Sequence, residues 1–291
     1  MINLLSCQHR YATGLVLWSV LGLTACDRQK APVESVDSTA SSAVSKQASK
    51  GDAALIKPLV VLSKTLTETQ PNCQDNCAKA TAKTLSVAAP DEWLNATLNK
   101  AMLDLADAGI SETPAKGQTV AQRLKDFVQP VAAEAQDPSF PAYDMTLAAE
   151  LVREHGSLVV IGFSGAYFTG GAHGSAVQRY VVADRQAHRI LTLKDLILPN
   201  QDTALSALFH TQFSDWVKQN DPNTNVAEYE QAWPFHLAEQ WWLSDDGLVM
   251  AYGQYEIGPY VVGMPELVVP YAQLKGMLKP QYFPTPSAVS R

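Results

Sequence analysis

Positive charge is scarce in this sequence. The 291 residues contain 22 Lys and Arg against 29 Asp and Glu, which gives a formal net charge of −7 at pH 7. No basic stripe with interleaved aromatic residues occurs along the chain. Because nucleic-acid binding needs clustered basic residues to neutralise phosphates, we expect no nucleic-acid partner. The acidic balance would favour a basic partner, although it is equally typical of a protein kept soluble by its charge.

The apolar run near the amino terminus is too short to span a membrane. Residues 12–23 would cover roughly 18 Å as a helix, against a bilayer core of about 30 Å. The run follows Arg10 and ends in Leu23-Thr24-Ala25-Cys26, which resembles the lipobox of bacterial lipoproteins. We therefore expect residues 1–25 to be a lipoprotein signal peptide and Cys26 to carry lipid that anchors the protein in the cell envelope, facing the periplasm, in the inner or the outer membrane.

Only four cysteines are present. Cys7 lies in the predicted signal peptide and Cys26 is the predicted lipidation site, which leaves Cys73 and Cys77 in "NCQDNC". An even pair in an exported chain predicts a disulfide. A zinc site is disfavoured because no second Cys or His cluster with suitable spacing lies nearby. We expect no metal site and no cofactor.

Complete catalytic motifs are also missing. "GFSGA" has Gly162 and Ser164 of a nucleophile elbow, but residue 166 is Ala where the second Gly would be needed. "REHG" at 153–156 lacks the second His of a zinc hydrolase, and no glycine-rich phosphate loop is followed by Lys and Ser or Thr. We therefore expect no catalytic residues and predict that the protein is not an enzyme.

The composition divides the chain into five segments. After the signal peptide, residues 26–52 are rich in Ser, Ala, Lys, Gln and Asp and lack aromatic residues, which predicts a flexible tether. Residues 53–140 and 141–283 form two sequential halves with strand and helix patterns, and residues 284–291 form a short tail. Strand groups interrupted by helices, without regular βαβ alternation, predict an α+β fold with a largely antiparallel sheet and helices packed on it.

Hydrophobic periodicity predicts the individual elements. In the first predicted helix, apolar residues fall on one face: Trp93, Leu94, Leu98, Met102 and Leu105. Helices are predicted at residues 91–109, at 119–135 with a bend or break at Pro130, and at 202–220. Strands are predicted at 54–68, 79–89, 145–156, 157–170 and 174–197, and in a hairpin over 239–253 that turns at Asp246-Gly247. Residues 265–278 are expected to form a last strand and a short closing helix.

The segment "YFTGGAHGS", residues 167–175, admits two interpretations. In the first, His173 is a general base in a catalytic loop. In the second, Gly170 and Gly171 supply the backbone freedom for a chain reversal between strands, and His173 bonds to backbone or packs on Tyr167 or Phe168. The absence of a recognisable catalytic partner favours the second.

Two segments of the sequence resemble parts of a known protein family. "YFTGGAHGSAVQRYVVADRQAHRILTLKDLI" and "YEIGPYVVGMPELVVPYAQLKGMLKP" are similar, in order and spacing, to the extracellular domain of the RsiV-type family over about residues 141–280. Residues 53–140 resemble more weakly the small domain that precedes it in PdaC-type deacetylases. The resemblance implies an α+β binding module outside the cytoplasmic membrane. In that family a membrane-bound anti-sigma factor binds lysozyme through its outer domain, but only about ten residues precede the predicted signal here, so we expect no sigma-binding segment.

The second motif supplies the remaining candidate binding residues: Tyr255, Glu256, Tyr260 and Glu266, which join Tyr167, Gly170, Gly171 and His173. Tyrosines beside carboxylates suit a basic protein or a carbohydrate, but Pro259, Gly263 and Pro265 favour a buried loop on which the tyrosines pack. Glu256 and Glu266 could also be an acid–base pair for glycoside chemistry. The expected function is a non-catalytic binding or sensing lipoprotein, with a lysozyme-like protein as partner. The alternatives are a cell-wall glycan binder or hydrolase, and a structural envelope lipoprotein.

Overall fold

A computed structural model describes residues 57–88, 91–109, 118–129 and 142–284 of the chain. The predicted signal peptide, Cys26, the tether, Pro130 and residues 285–291 lie outside these ranges. No helix within the described ranges is both long enough and apolar enough to cross a membrane.

A six-stranded sheet runs in the order β1-β2-β3-β4-β5-β6. Its strands are β1 (Val61–Thr69), β2 (Lys79–Val87), β3 (Asp144–His155), β4 (Leu158–Phe168), β5 (Ser175–Asp184) and β6 (Arg189–Ile190). All neighbours pair antiparallel except β2 and β3, which are parallel. A parallel pair needs a crossover connection, and α1 (Glu92–Ala108) and α2 (Val120–Phe127) lie in it. One sheet therefore includes strands from both sides of residue 140.

The helices of the crossover pack on one face of this sheet. In α1 the buried residues recur every three or four positions, which places them on one side of the helix: Leu94, Leu98, Met102, Leu105 and Ala106. In α2 the side chain of Thr119 accepts a hydrogen bond from the Gln122 amide and so caps the first turn. This helix ends at Phe127, earlier than the predicted residue 135.

A second sheet of three antiparallel strands follows in the chain. It consists of β7 (Gln240–Leu243), β8 (Gly247–Ala251) and β9 (Glu266–Pro270). The predicted hairpin is confirmed, but it turns at Asp245-Asp246, one residue before the predicted Asp246-Gly247, since the Gly247 carbonyl already accepts from the Ser244 amide. A Cβ at Gly247 would overlap the Val269 carbonyl. The helix α4 (Asp202–Asn220) packs on β9, whereas β7 lies beside β5 of the large sheet.

The large sheet thus has a hydrophobic core on each face. Ile161 of β4 belongs to the cluster under α1 and α2, while Val160, the preceding residue, belongs to the cluster formed with α4 and the small sheet. Alternate residues of a strand point to opposite faces, so β4 serves both cores. The predicted α+β class and the largely antiparallel sheet are confirmed.

Three details differ from the predictions. The short helices α3 (Leu193–Leu196) and α5 (Val226–Ala232) were not predicted as separate elements. The closing helix expected up to residue 278 is wrong: residues 271–277 form consecutive turns, and a 3₁₀ turn follows at Pro280–Tyr282. Gly276, with φ +79°, lies inside this stretch, a conformation that a right-handed helix does not contain.

Candidate functional site

The loop between β4 and β5 is a chain reversal built on glycine. Gly170 and Gly171 have φ of 91° and 89°, a region that residues with a side chain rarely adopt. At Gly174 an added Cβ would lie 2.8 Å from the Tyr167 carbonyl oxygen, too close for a real side chain. The prediction that these glycines serve backbone geometry is therefore confirmed.

Tyr167 belongs to the core and not to an exposed site. Only 5% of its surface is exposed, and its hydroxyl donates to the Leu105 carbonyl at 2.6 Å. A Cβ at Gly109 or Gly165 would overlap its ring or hydroxyl, so both glycines make room for it. Burial raises the pKa of Tyr167 well above its usual range. Its prediction as a binding residue is corrected: no ligand reaches this side chain without the core opening.

His173 lies on the surface at the other end of the same segment. Its Nδ1 is 2.9 Å from the Gly174 carbonyl oxygen, so Nδ1–H donates there, and in the neutral form of the ring Nε2 would be the acceptor. The Tyr255 hydroxyl, 3.4 Å from Nε2, is placed to donate to that nitrogen. The imidazole stacks on Tyr260, with ring centroids 4.2 Å apart. Of the two predicted alternatives, the bond from His173 to backbone is confirmed, whereas the ring packs on Tyr260 and not on Tyr167 or Phe168.

The loop that carries the second motif is hydrogen-bonded to the loop between β4 and β5. The Tyr260 hydroxyl donates to the Gly174 carbonyl at 3.2 Å, and Gln254 Oε1 accepts from the Ala176 amide at 2.9 Å. Within the loop, Glu256 accepts from the Gly253 amide at 2.6 Å. The two motifs, more than 80 residues apart in sequence, therefore form one surface.

Four residues of these loops form what we call the loop cluster: His173, Tyr255, Tyr260 and Val261. Tyr255 is 50% exposed, Tyr260 36% and Val261 87%, and the two tyrosine rings lie 5.7 Å apart. Tyr255 has φ 63°, and a side-chain residue in this region costs about 1–3 kcal/mol. An exposed aromatic cluster on a strained backbone is typical of a binding surface.

A groove of about 740 Å³ lies beside the loop cluster. One wall is residues 173–179, which include the first half of β5, and the other walls are residues 239–240 and 253–256. Glu256 contributes a carboxylate to the groove and accepts from His236 Nε2 at 2.9 Å. Glu239 is exposed on the same side.

Glu266 lies in different surroundings from Glu256. It accepts from the Tyr180 hydroxyl at 2.8 Å and from Trp242 Nε1 at 3.3 Å, and these two rings stack at 5.5 Å. Burial and the bond to Glu266 raise the pKa of Tyr180. The two carboxylates therefore have different hydrogen-bond partners: His236 and the Gly253 amide for Glu256, Tyr180 and Trp242 for Glu266.

His236, Gln240 and Gln254 were missed by the sequence analysis. His236 is 20 residues from Glu256, and the two glutamines bond to β5 across separations of 60 and 78 residues. No short motif contains such pairs, because they depend on how the small sheet docks against β5.

The predicted disulfide is confirmed. Cys73 and Cys77 are joined in the connection between β1 and β2, with their Cα atoms 5.6 Å apart. Among the described residues no group of three His, Cys, Asp or Glu side chains is placed to hold a metal ion.

Comparison with known proteins identifies one domain. The family model described as "Protein of unknown function (DUF3298)" matches residues 194–272, a range that includes Tyr255, Glu256, Tyr260 and Glu266 but not residues 167–175. A crystal structure of a DUF3298 family protein from Pseudomonas aeruginosa PAO1 is similar, with a TM-score of 0.66 and 29% identity over 79% of this chain and 99% of that one. A member from Bacteroides fragilis has a TM-score of 0.60 and 21% identity over 76% of this chain and 94% of that one, a likeness of fold alone. No curated protein matches the chain.

Proposed function

We propose that the protein is an envelope-anchored lipoprotein whose folded part is a non-catalytic binding module, with the loop cluster as its contact surface. The observation that carries this proposal is the meeting of the two motif loops. His173 stacks on Tyr260 at 4.2 Å, and both tyrosines of the cluster keep a third or more of their surface exposed. Large rigid aromatic side chains provide contact area at little conformational cost, which suits protein recognition.

The bonding around the ionisable groups supports binding over catalysis. The His173 ring is oriented by a backbone carbonyl, and its remaining nitrogen faces a tyrosine hydroxyl. A catalytic triad would place a carboxylate behind the ring and a serine or cysteine in front of it, and among the residues that the structure describes neither group bonds to His173. Glu256, one of two carboxylates beside the cluster, accepts from His236 and the Gly253 amide.

A basic protein such as a lysozyme is the partner that we propose. The chain carries a net charge of −7, and Glu239 and Glu256 line the groove beside the cluster. Opposite charge would speed the association of the two proteins, while the aromatic side chains of the cluster, once covered by the partner, would set the affinity.

Calorimetric titration with purified lysozyme tests the proposal. We expect saturable binding by the wild type and a loss of tenfold or more in Tyr260→Ala. Ile190→Ala, which removes a more exposed apolar side chain (50% against 36% for Tyr260) away from the cluster, should bind like the wild type. No heat with the wild type, or equal losses in both variants, would refute the proposal.

A cell-wall glycan is the second candidate ligand. Aromatic rings beside hydrogen-bonding groups, as Tyr255 lies beside Gln254 and Glu256, also suit sugar rings. Incubation with purified peptidoglycan separates the outcomes: retention without fragments would indicate a glycan binder, released fragments a hydrolase, and neither would remove this candidate.

The membrane anchor is tested separately. Metabolic labelling with a palmitate analogue should mark the wild-type protein and leave Cys26→Ala unlabelled. Labelling of Cys26→Ala to the wild-type level would contradict lipidation at this residue.

A further inference from the structure

The outer edge of β5 is only partly paired. On one side β4 runs along β5 from Ser175 to Asp184, but on the other side β6 pairs only with Ala183 and Asp184. Residues 175–179 of β5 line the groove beside the loop cluster. An unpaired edge offers backbone N–H and C=O groups to any extended chain that lies beside it.

Two glutamine side chains occupy part of this edge. Gln254 Oε1 accepts from the Ala176 amide at 2.9 Å, and Gln240 Oε1 accepts from the Tyr180 amide at 2.8 Å. Each amide oxygen therefore stands where the carbonyl of a neighbouring strand would stand. Side-chain acceptors can be displaced by rotation, without breaking any bond of the sheet.

Gln178, midway between these positions, is left without such a partner. In an antiparallel strand alternate residues direct N–H and C=O to the same neighbour, so Gln178 faces outward as Ala176 and Tyr180 do. Among the described residues no side-chain oxygen accepts from its backbone amide, and its buried Nε2 also has no partner. The carbonyl of an added strand would accept from the Gln178 backbone N–H, which lies on this unpaired edge.

The groove has the length for an extended segment and carries charges of both signs. Residues 175–179 correspond to about 13–17 Å of strand, enough for four or five extended residues. Arg179 lines the β5 side, whereas the carboxylates of Glu239 and Glu256 line the opposite side. Glu256 pairs with His236, and Glu239 makes no ion pair with any residue that the structure describes. A basic side chain on the occupant would complement Glu239.

We infer that an extended segment of a partner protein, carrying a basic residue, adds to the sheet beside β5 and pairs with the Gln178 backbone. This inference rests on the proposed binding function and specifies how the partner is held: main-chain pairing along β5 fixes the segment, and the loop cluster contacts its flank. In the free protein Gln240 and Gln254 accept hydrogen bonds from β5, and their side chains rotate away when the segment pairs with this edge.

Selection from a library of random seven-residue peptides displayed on phage tests the inference directly. Recovered peptides are synthesised and titrated against three forms of the protein: wild type, Gln178→Pro and Gln178→Thr. Proline removes the outward N–H while the bonds to β4 remain, whereas threonine keeps the N–H and loses only the side-chain amide. We expect basic peptides whose affinity falls at least tenfold in Gln178→Pro and less than threefold in Gln178→Thr.

A second measurement does not depend on the proline variant folding. The same peptides with one N-methylated central amide, which cannot pair as a strand, should lose at least tenfold in affinity for the wild-type protein. Recovery of no binding peptide, or of peptides indifferent to both N-methylation and Gln178→Pro, would overturn the inference.

The loop cluster is tested apart from the edge. Peptides that need the Gln178 amide but bind Tyr260→Ala normally would support strand addition and contradict the role of the cluster. Peptides that need Tyr260 but tolerate N-methylation would support the role of the cluster and contradict strand addition.

Discussion

The two ends of residues 167–175 have opposite roles. At one end Tyr167 is buried under α1, with its hydroxyl bonded to Leu105. At the other end His173 stacks on a half-exposed tyrosine at the surface. Five residues separate Tyr167 from His173, and two of them are glycines with positive φ that turn the chain. A single motif can therefore serve the core and a surface at once, and a match to such a motif does not mark every residue in it as part of a binding site.

The largest effect that distinguishes the two ends is on stability. Tyr167→Ala should lower the free energy of unfolding by about 3–5 kcal/mol, because it empties a packed site and leaves the Leu105 carbonyl without its donor. Tyr260→Ala should cost less than about 1 kcal/mol, as expected of a partly exposed residue. Urea unfolding of both variants measures the difference, and similar losses would remove the distinction drawn here.

The turn between the two ends is expected to show an intermediate effect. Gly170→Ala forces a side chain into a left-handed conformation and should cost about 1–2 kcal/mol. Gly253→Ala is the matched control in the facing loop, because Gly253 lacks a positive φ and an added Cβ would meet only the Glu256 carboxylate at 3.4 Å. Thermal unfolding of the two variants provides the comparison. If Gly170→Ala were neutral, the glycine would not be required for the turn.

A smaller effect should appear at high pH. The unfolded chain releases a tyrosine proton near pH 10, whereas burial raises the pKa of Tyr167 above that value. The stability from keeping this hydroxyl protonated is complete below about pH 10 and is lost as the pH rises further. Tyr167→Phe removes this dependence, so its unfolding free energy should fall less steeply above pH 10, by up to about 1.4 kcal/mol per pH unit.

Urea unfolding at several pH values from 8 to 11.5 checks this prediction. Tyr180 and Tyr252 also have raised pKa values, so some alkaline loss should remain in the variant. Identical slopes in wild type and Tyr167→Phe would show that the Tyr167 hydroxyl titrates alike in the folded and unfolded chains.

Local pattern was enough to predict most elements of the fold. The helical stripe of α1 and the alternation of β3, β4 and β5 depend on neighbouring residues, and both are present. The Cys73–Cys77 bridge closes over four residues and is local as well. The parallel pairing of β2 with β3 was not predicted, because it joins strands separated by the whole crossover of α1 and α2.

The site was predicted only in part, for a related reason. Both motifs were found, but Tyr167 and Tyr260 are the same residue type, each close to glycine in sequence. Their difference in burial arises from α1 covering one and not the other. The contacts of Gln240 and Gln254 with β5 depend in the same way on tertiary packing, which no local pattern encodes.

The central claim is that the two motif loops bind as one surface. A double-mutant cycle of His173→Ala and Tyr260→Ala, with lysozyme affinity measured by calorimetry, tests it most directly. Since the two rings touch, each single variant should lose most of the binding, and the double variant should be little weaker than either. If the fold losses in affinity of the two single variants multiply in the double variant, or if the wild-type protein binds no lysozyme, the central claim is contradicted.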